Sequence, residues 1–529
     1  MLGGIARDIA YSNSSFSQTS ASGKSSTALH KGGFRQVSSL VQYQQSPGIV
    51  SQLPLENTPS YYLEPISNPN IRDTGVTSMS FDCSHMAVAY IDSATSLPIL
   101  TIYQGVQNQY SVVYSTTPSD ATPITIESGI KNSACCVISS DATICVLACC
   151  LDDNNRGAMW TYYNSGSGWQ QTSPSKIVPA DLAGISPQFG TSIALSTNNS
   201  TVVVGVPQDG FAGDPFNAPG AVFVFKQMNP GVYLQLGPKL VGVGSTNSLL
   251  QGASVCVSAN GSVIGVGAPY DGYSLANPLP IGCGFIFVEN NLRTTYVQNG
   301  PRLSAGDSGT AANGLSCAIN QSGTLFYLGC PFTAPGYSVS NAGVAVFERA
   351  GAWNLQTYIA TPRSVVGLNS QFGRDLSLSL DGNTLVVQAI DDINYNVSYN
   401  SMGSFYIFSR SGGGSSPNVY TQNGIKIFNT NSTAVIGDVS LSGDGKCLAY
   451  YNVFQDAGFA ALQSLSEPAQ PGESQPAPPK KLSRELALLQ KIRRPVPQAR
   501  SVIKALSDEH VPIQPLFDFP SEIQIVNSI

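Results

Sequence analysis

Chemistry in this chain of 529 residues would have to come from a sparse set of side chains, because only 11% are Asp, Glu, Lys or Arg and three are His. Adjacent carboxyls stand at Asp152-Asp153 and Asp391-Asp392. Two carboxyls placed across a bond are what glycoside hydrolysis requires, but neighbouring Asp residues between apolar runs also make turns. His30, His85 and His510 are scattered along the chain, so no Ser-His-Asp set can be nominated from them. The eleven Cys are odd in number and sit mainly beside Val and Ile, which reads as mostly reduced, buried thiols from a reducing compartment. Five of them fall between Cys135 and Cys150 without the ligand spacing of a zinc site. The expectation is therefore no metal, no cofactor and no catalytic residue.

A second group of candidates lies in stretches rich in Gly, Asn and aromatics, residues 208–219, 270–280, 332–341 and 391–402. They hold Asp209, Phe211, Asp214, Tyr270, Asp271, Tyr273, Tyr337, Asp391, Asp392 and Tyr395. Aromatic and acidic residues in such surroundings suit contacts with a protein or a glycan, and Tyr offers large contact area at low entropic cost. These ten are the expected ligand-binding residues.

What must position them is a repeat. Ser196, Ser258, Asn320, Ser379 and Ser442 occupy one slot, spaced by 62, 62, 59 and 63 residues. Each follows a Gly, at 190, 252, 314, 373 and 437, and precedes a polar corner and an apolar run such as Thr201 to Val206. A third run opens with Gly220, Gly284, Gly343, Gly403 or Gly458. Degenerate copies around Ser80 and Ser139 raise the count to seven. Two apolar runs about a Gly/Asn/Asp corner make a hairpin, and a third and fourth run complete a four-stranded antiparallel unit. Units apolar on both faces fit blades packed side by side, so the predicted fold is an all-β, seven-bladed β-propeller over residues 38–466. Residues 38–50 are expected to complete the last blade and so remove an exposed sheet edge.

The order Phe-Gly, Ser-x-Asp-Gly, Gly-Ala-Pro, Gly-Ala-Val-Phe-Val-Phe resembles the FG-GAP repeat of integrin α heads, over about residues 75–466. That resemblance implies a seven-bladed propeller whose loops after the second strand share one face with the connections between blades. Integrin-like members often carry a calcium loop at the corner, whereas the corners here hold one carboxylate or none, as at Asp381-Gly382 and Asn260-Gly261. One carboxylate cannot supply the six to eight oxygens calcium takes, so these corners are read as tight turns.

The ends differ in kind. Residues 1–37 read as a flexible or extended arm and 467–481 as a Pro-rich linker. In 482–529, Leu482, Leu486, Leu489 and Ile492 recur at helical spacing, followed by Val502 and Leu506, with Arg493 and Arg494 among the basic residues. Lys480 to Lys504 carries eight basic residues against one Glu, a local +7 that leaves −13 elsewhere in a chain of net −6. Nucleic acid would meet repulsion everywhere except this tail. Short amphipathic helices gain stability by docking on a partner, so the tail is expected to anchor the ring to capsid or other assembly proteins. No apolar run is long enough to span a membrane. Together these features suggest a virion surface or vertex protein, assembled in host cytoplasm and mediating attachment to a host protein or glycan receptor. A cytoplasmic scaffold binding a protein partner, and a carbohydrate-binding or glycoside-acting propeller, are the alternatives.

Overall fold

The structure is a computed structural model that describes residues 61–62 and 76–464, apart from short segments, the longest at 125–132, 212–217, 273–279, 334–341, 363–369, 394–401 and 429–434. The arm 1–37, the segment 38–50, the linker 467–481 and the tail with Leu482, Leu486, Leu489, Ile492, Arg493, Arg494, Val502 and Leu506 lie outside the described residues.

Within the described unit the strands fall into seven groups. Blade 1 comprises Val76–Met79, His85–Asp92, Leu97–Val106 and Gln109–Thr116, and blade 2 Ala134–Ile138, Ile144–Cys149, Ala158–Asn164 and Trp169–Gln171. Blade 3 runs Ser192–Leu195, Thr201–Val206, Ala221–Asn229 and Val232–Gln235; blade 4 runs Ser254–Val257, Val263–Ala268, Cys283–Glu289 and Tyr296–Gln298. Blade 5 has Cys317–Ile319, Leu325–Cys330, Gly343–Ala350 and Ala352–Ala360, and blade 6 has Phe372–Leu378, Thr384–Ile393, Met402–Gly413 and Ser416–Gln422. Blade 7 supplies Val435–Leu441, Cys447–Phe454 and Ala457–Ser464, and the fourth place is taken by Tyr61–Tyr62, antiparallel to the last of these. The fold is a β-propeller. The outer place of the last blade, expected for residues 38–50, is held by Tyr61–Tyr62.

The first strands of successive blades touch one another around the whole circle, including blade 7 to blade 1, so the ring is closed. The second strands of blades 2, 3, 4 and 5 are buried along their full length, as near-continuous apolar runs require when both faces are covered. Between blades 2 and 3, for example, Phe189 is fully buried and meets Phe223 and Phe225 edge-on at ring separations of 6.0 Å.

The recurring Ser slot is the hub of each corner. Ser258 Oγ donates to Asn260 Oδ1 (3.0 Å) and accepts the Val263 N–H (3.0 Å), tying the turn to the start of the second strand. The same two bonds recur at Ser196, Ser379 and Ser442 and in the degenerate copies at Ser80 and Ser139. In blade 5 the Asn320 carboxamide oxygen takes over the acceptor role toward Leu325 N–H (2.9 Å). Three residues beyond the slot the backbone turns left-handed, at Asn199, Gly261, Gly323, Gly382 and Gly445, which is why Gly or Asn stands there.

These corners also hold hands. Main-chain N–H groups of Asn198, Ala259, Gln321, Leu380, Asp444 and Phe81 each donate to a carbonyl of the next blade's corner, at 2.9 to 3.0 Å. The step from blade 2 to blade 3 carries the Asn199 carboxamide on Asp141 Oδ2 (3.0 Å). Nine of the eleven cysteines are free and eight of those are buried, in keeping with the sequence reading. Cys83 and Cys447 depart from it: they form a disulfide that joins blade 1 to blade 7 across the ring closure, 364 residues apart in sequence.

Candidate functional site

The opposite end of each blade, where the second strand stops, is where the nominated loop residues lie. Thirteen residues after the corner slot of blades 2, 3, 4 and 6 stands an Asp: Asp152, Asp209, Asp271 and Asp392. Each is at most 2% exposed. Burying a carboxylate is costly unless it is paired and hydrogen-bonded, and each is paired with a cation that follows the fourth strand of its own blade. Asp152 meets Lys176 at 2.8 Å and Asp392 meets Lys426 at 2.9 Å; Asp209 pairs with Lys239 and Asp271 with Arg302.

The remaining acceptor capacity is used on the chain that enters the blade. Asp152 Oδ1 takes the N–H (2.6 Å) and hydroxyl (2.9 Å) of Thr122, and Asp209 Oδ1 takes the Ala183 N–H (2.8 Å). Asp392 is instead enclosed within its blade by Ser404 and by the Tyr406 hydroxyl (2.7 Å). One buried carboxylate thus knots the root of the loop it opens to the segment leaving the blade, and in blades 2 and 3 to the segment entering it. Blade 5 has Thr333 in the slot, and in blade 1 the buried Asp92 caps its own turn through Thr95 N–H (3.1 Å) and hydroxyl (2.7 Å).

Asp209, Asp271 and Asp392, expected as ligand contacts, therefore face inward as loop anchors and are not presented to solvent; the expectation is corrected in that respect. Phe211 is half-buried, and its carbonyl accepts the Ile185 N–H (3.0 Å) from the preceding connection. Tyr270 is half-buried beside Asp271. Asp391 lies in the strand Thr384–Ile393, its side chain outside the described residues, as are Asp214, Tyr273, Tyr337 and Tyr395. In the adjacent pair Asp152-Asp153, Asp152 is buried on Lys176 while Asp153, in a left-handed turn, is exposed and donates its N–H to Thr122 Oγ1 (2.7 Å). His85 contacts its neighbour Ser84 (2.9 Å) in the blade 1 corner, on the other face.

Lys176, Lys239, Arg302 and Lys426 were not singled out from the sequence. Their signal was there, in Gly237-Pro238-Lys239-Leu240 and Gly300-Pro301-Arg302-Leu303, which repeat 63 residues apart. Among the described residues no group of three His, Cys, Asp or Glu side chains is placed to hold a metal ion, and no helix is long and apolar enough to cross a membrane.

No family model matches the chain, and no curated protein matches it. Solved structures do. A chain of a mitotic checkpoint complex aligns over 78% of this chain and 97% of its own, with 12% identity and a TM-score of 0.46. A putative 6-phosphogluconolactonase from Bacteroides uniformis aligns over 71% and 87%, with 10% identity and a TM-score of 0.43. A protein from Lactobacillus plantarum aligns over the same shares, with 13% identity and a TM-score of 0.41.

Proposed function

We propose that this chain is a non-enzymatic display scaffold built from FG-GAP-type units, a virion surface or vertex propeller that presents its loop face for attachment and is held in the particle by its C-terminal tail. The observation that carries the reading is the buried Asp–Lys or Asp–Arg knot under the loops of blades 2, 3, 4 and 6. Fixed feet with non-repeating spans between them are the arrangement by which a rigid scaffold varies its contacts. A bond across the ring closure, Cys83–Cys447, suits a protein displayed in oxidising surroundings.

The test has two arms. In infected material, labelling of purified particles with an antibody to the ring should follow the particles and be lost when residues 467–529 are deleted. In solution, the full chain should bind cells, and replacing residues 273–279 by Gly and Ser should weaken that binding while leaving the unfolding midpoint unchanged. A chain that stays in the soluble fraction and never sediments with particles would replace this reading with that of an intracellular scaffold, which the nine free thiols favour. A glycan array probed with the same protein separates a glycan receptor from a protein one.

A further inference from the structure

We propose that Cys256 and Cys317 form a second inter-blade disulfide site, closed by exchange with a small-molecule disulfide such as oxidised glutathione, and that closing it locks blade 4 to blade 5.

Cys256 belongs to the first strand of blade 4 and Cys317 to the first strand of blade 5. Both thiols converge on one acceptor, the carbonyl oxygen of Gly265 in the second strand of blade 4, at 3.8 and 4.0 Å. Two sulfurs that share an acceptor across a blade interface are neighbours. Gly265 makes the room for them, since a Cβ at that position would come within 2.7 Å of Cys256 Sγ and 2.5 Å of the Phe326 ring. Both cysteines pack into the same apolar interface as Phe326. The matching positions of the two interfaces before it, blade 2 to 3 and blade 3 to 4, are filled by aliphatic residues, Val137 with Ile193 and Ala194 with Val255, which contribute packing alone. Only the step from blade 4 to blade 5 places a thiol opposite a thiol at this level among those three.

The two sulfurs divide the work by their surroundings. Cys317 is half-buried whereas Cys256 is buried, which makes Cys317 the one of the two to react first. Burial, and then the thiol of Cys317 beside it, push the Cys256 thiol well above its ordinary pKa, so it stays protonated and waits. The Cys317 thiolate attacks one sulfur of oxidised glutathione; a Cys317–glutathione disulfide forms and one glutathione thiolate leaves. Cys256 sulfur then attacks Cys317 Sγ, its proton passing to the second departing glutathione. Two protein thiols lose two electrons and two protons, and one glutathione disulfide takes them up as two thiols. With Cys83–Cys447 already joining blade 7 to blade 1, the ring would then be stapled at two interfaces, three and four blades apart around the circle.

The experiment treats the folded full chain with oxidised glutathione, quenches with acid, alkylates under denaturing conditions and maps the peptides by mass spectrometry. The expected result is joint loss of alkylation at Cys256 and Cys317, a cross-linked peptide containing both, and continued alkylation of the deeply buried Cys145 and Cys283. Cys256→Ser should stop the reaction at a glutathione adduct on Cys317, and Cys317→Ser should leave Cys256 fully alkylated. Full alkylation of both residues in the treated wild-type chain, or a wild-type reaction that stops at the Cys317 adduct, would overturn the proposal. The wild-type peptide map decides the matter even if one variant folds poorly.

Discussion

The two ends of each blade solve the problem of fixing a chain reversal by different chemistry. At the corner face a short neutral side chain, Ser258 or its counterpart, makes two hydrogen bonds within the turn, and main-chain groups link one blade to the next. On the loop face an ion pair is buried instead, as at Asp392 and Lys426, and it ties segments that are distant in sequence within the blade. The corner is the same almost everywhere because it closes the ring. The knot recurs in blades 2, 3, 4 and 6, under a short connection as well as under long loops, and Thr333 stands in its place in blade 5.

That difference should be largest in the cost of breaking each device. Asp392→Ala leaves the Lys426 ammonium, whose side chain is 7% exposed, buried without its carboxylate; removing one partner of a buried pair typically costs about 3–5 kcal/mol. Guanidinium unfolding of the variant should show a loss in that range, and Asp392→Leu combined with Lys426→Met should recover much of it, because the double change leaves no orphaned charge. A loss for Asp392→Ala below about 1 kcal/mol, the scale of an exposed pair, would mean that water reaches the knot and that the two faces do not differ as argued.

Ser258→Ala is the matching cut on the corner face. It removes the acceptor of the Val263 N–H and the donor to Asn260 while leaving every charge paired. A buried donor left without a partner costs about 1–3 kcal/mol, so the variant should fall between wild type and Asp392→Ala in the same titration. Ser258→Asn should recover part of the loss, because Asn320 already performs the acceptor role in blade 5. Equal losses for Ser258→Ala and Ser258→Asn would show that the slot is filled for packing, and the hydrogen-bond account of the repeat would go with it.

The corner was legible in the sequence because all its parts lie within a few residues: the slot, the Asp or Asn two residues on, and the left-handed Gly or Asn three residues on. The knot was half-legible. Asp209 and Asp271 stood out, but as loop acids, since their partners lie 30 and 31 residues downstream and the ion pair exists only once the fourth strand has returned. What joins blade to blade was hardest to read. Cys83–Cys447 and the carboxyls of Asp375 and Asp438 meet only when the ring has closed or the neighbouring blade has docked, and no local pattern announces that.

Asp375 and Asp438 give the comparison its finest test, because they put titratable groups where the other first-strand contacts use hydroxyls. Ser377 Oγ accepts the Leu441 N–H (2.8 Å) and Ser440 Oγ the Met79 N–H (3.1 Å), each from the following blade. Asp375 Oδ2 likewise accepts the Val439 N–H (3.0 Å) and Asp438 Oδ2 the Thr77 N–H (3.1 Å), and the two carboxyls are also hydrogen-bonded to each other. Burial raises both; the charge of Asp375 raises Asp438 further, while the hydrogen bond with Asp438, the N–H groups of Val439 and Leu376 and, least, Arg374 draw Asp375 part of the way back. The native pair therefore holds a proton that the unfolded chain gives up near pH 3.9, the ordinary value for Asp, at about 25 °C. A raised native pKa means that the pair's contribution is fully present below the unfolded value and is lost as pH rises through the native ones. The corner carboxyls Asp82, Asp141 and Asp381 run the other way. Burial alone would raise them, but hydrogen bonds from Ser80 and Ser84, from Ser139 and Thr143, and from Ser379 and Asn383 outweigh it and hold them low, so their contribution is lost as pH falls. Asp438→Asn keeps an acceptor for Thr77 and gains a fixed donor toward Asp375, so it removes the shared proton and leaves the corners untouched. Unfolding free energies measured from about pH 4 to about pH 7 should show the variant gaining on wild type as pH rises, by up to about 1.4 kcal/mol for each unit by which the pair's value is raised. Parallel curves would mean that the two carboxyls do not share a proton.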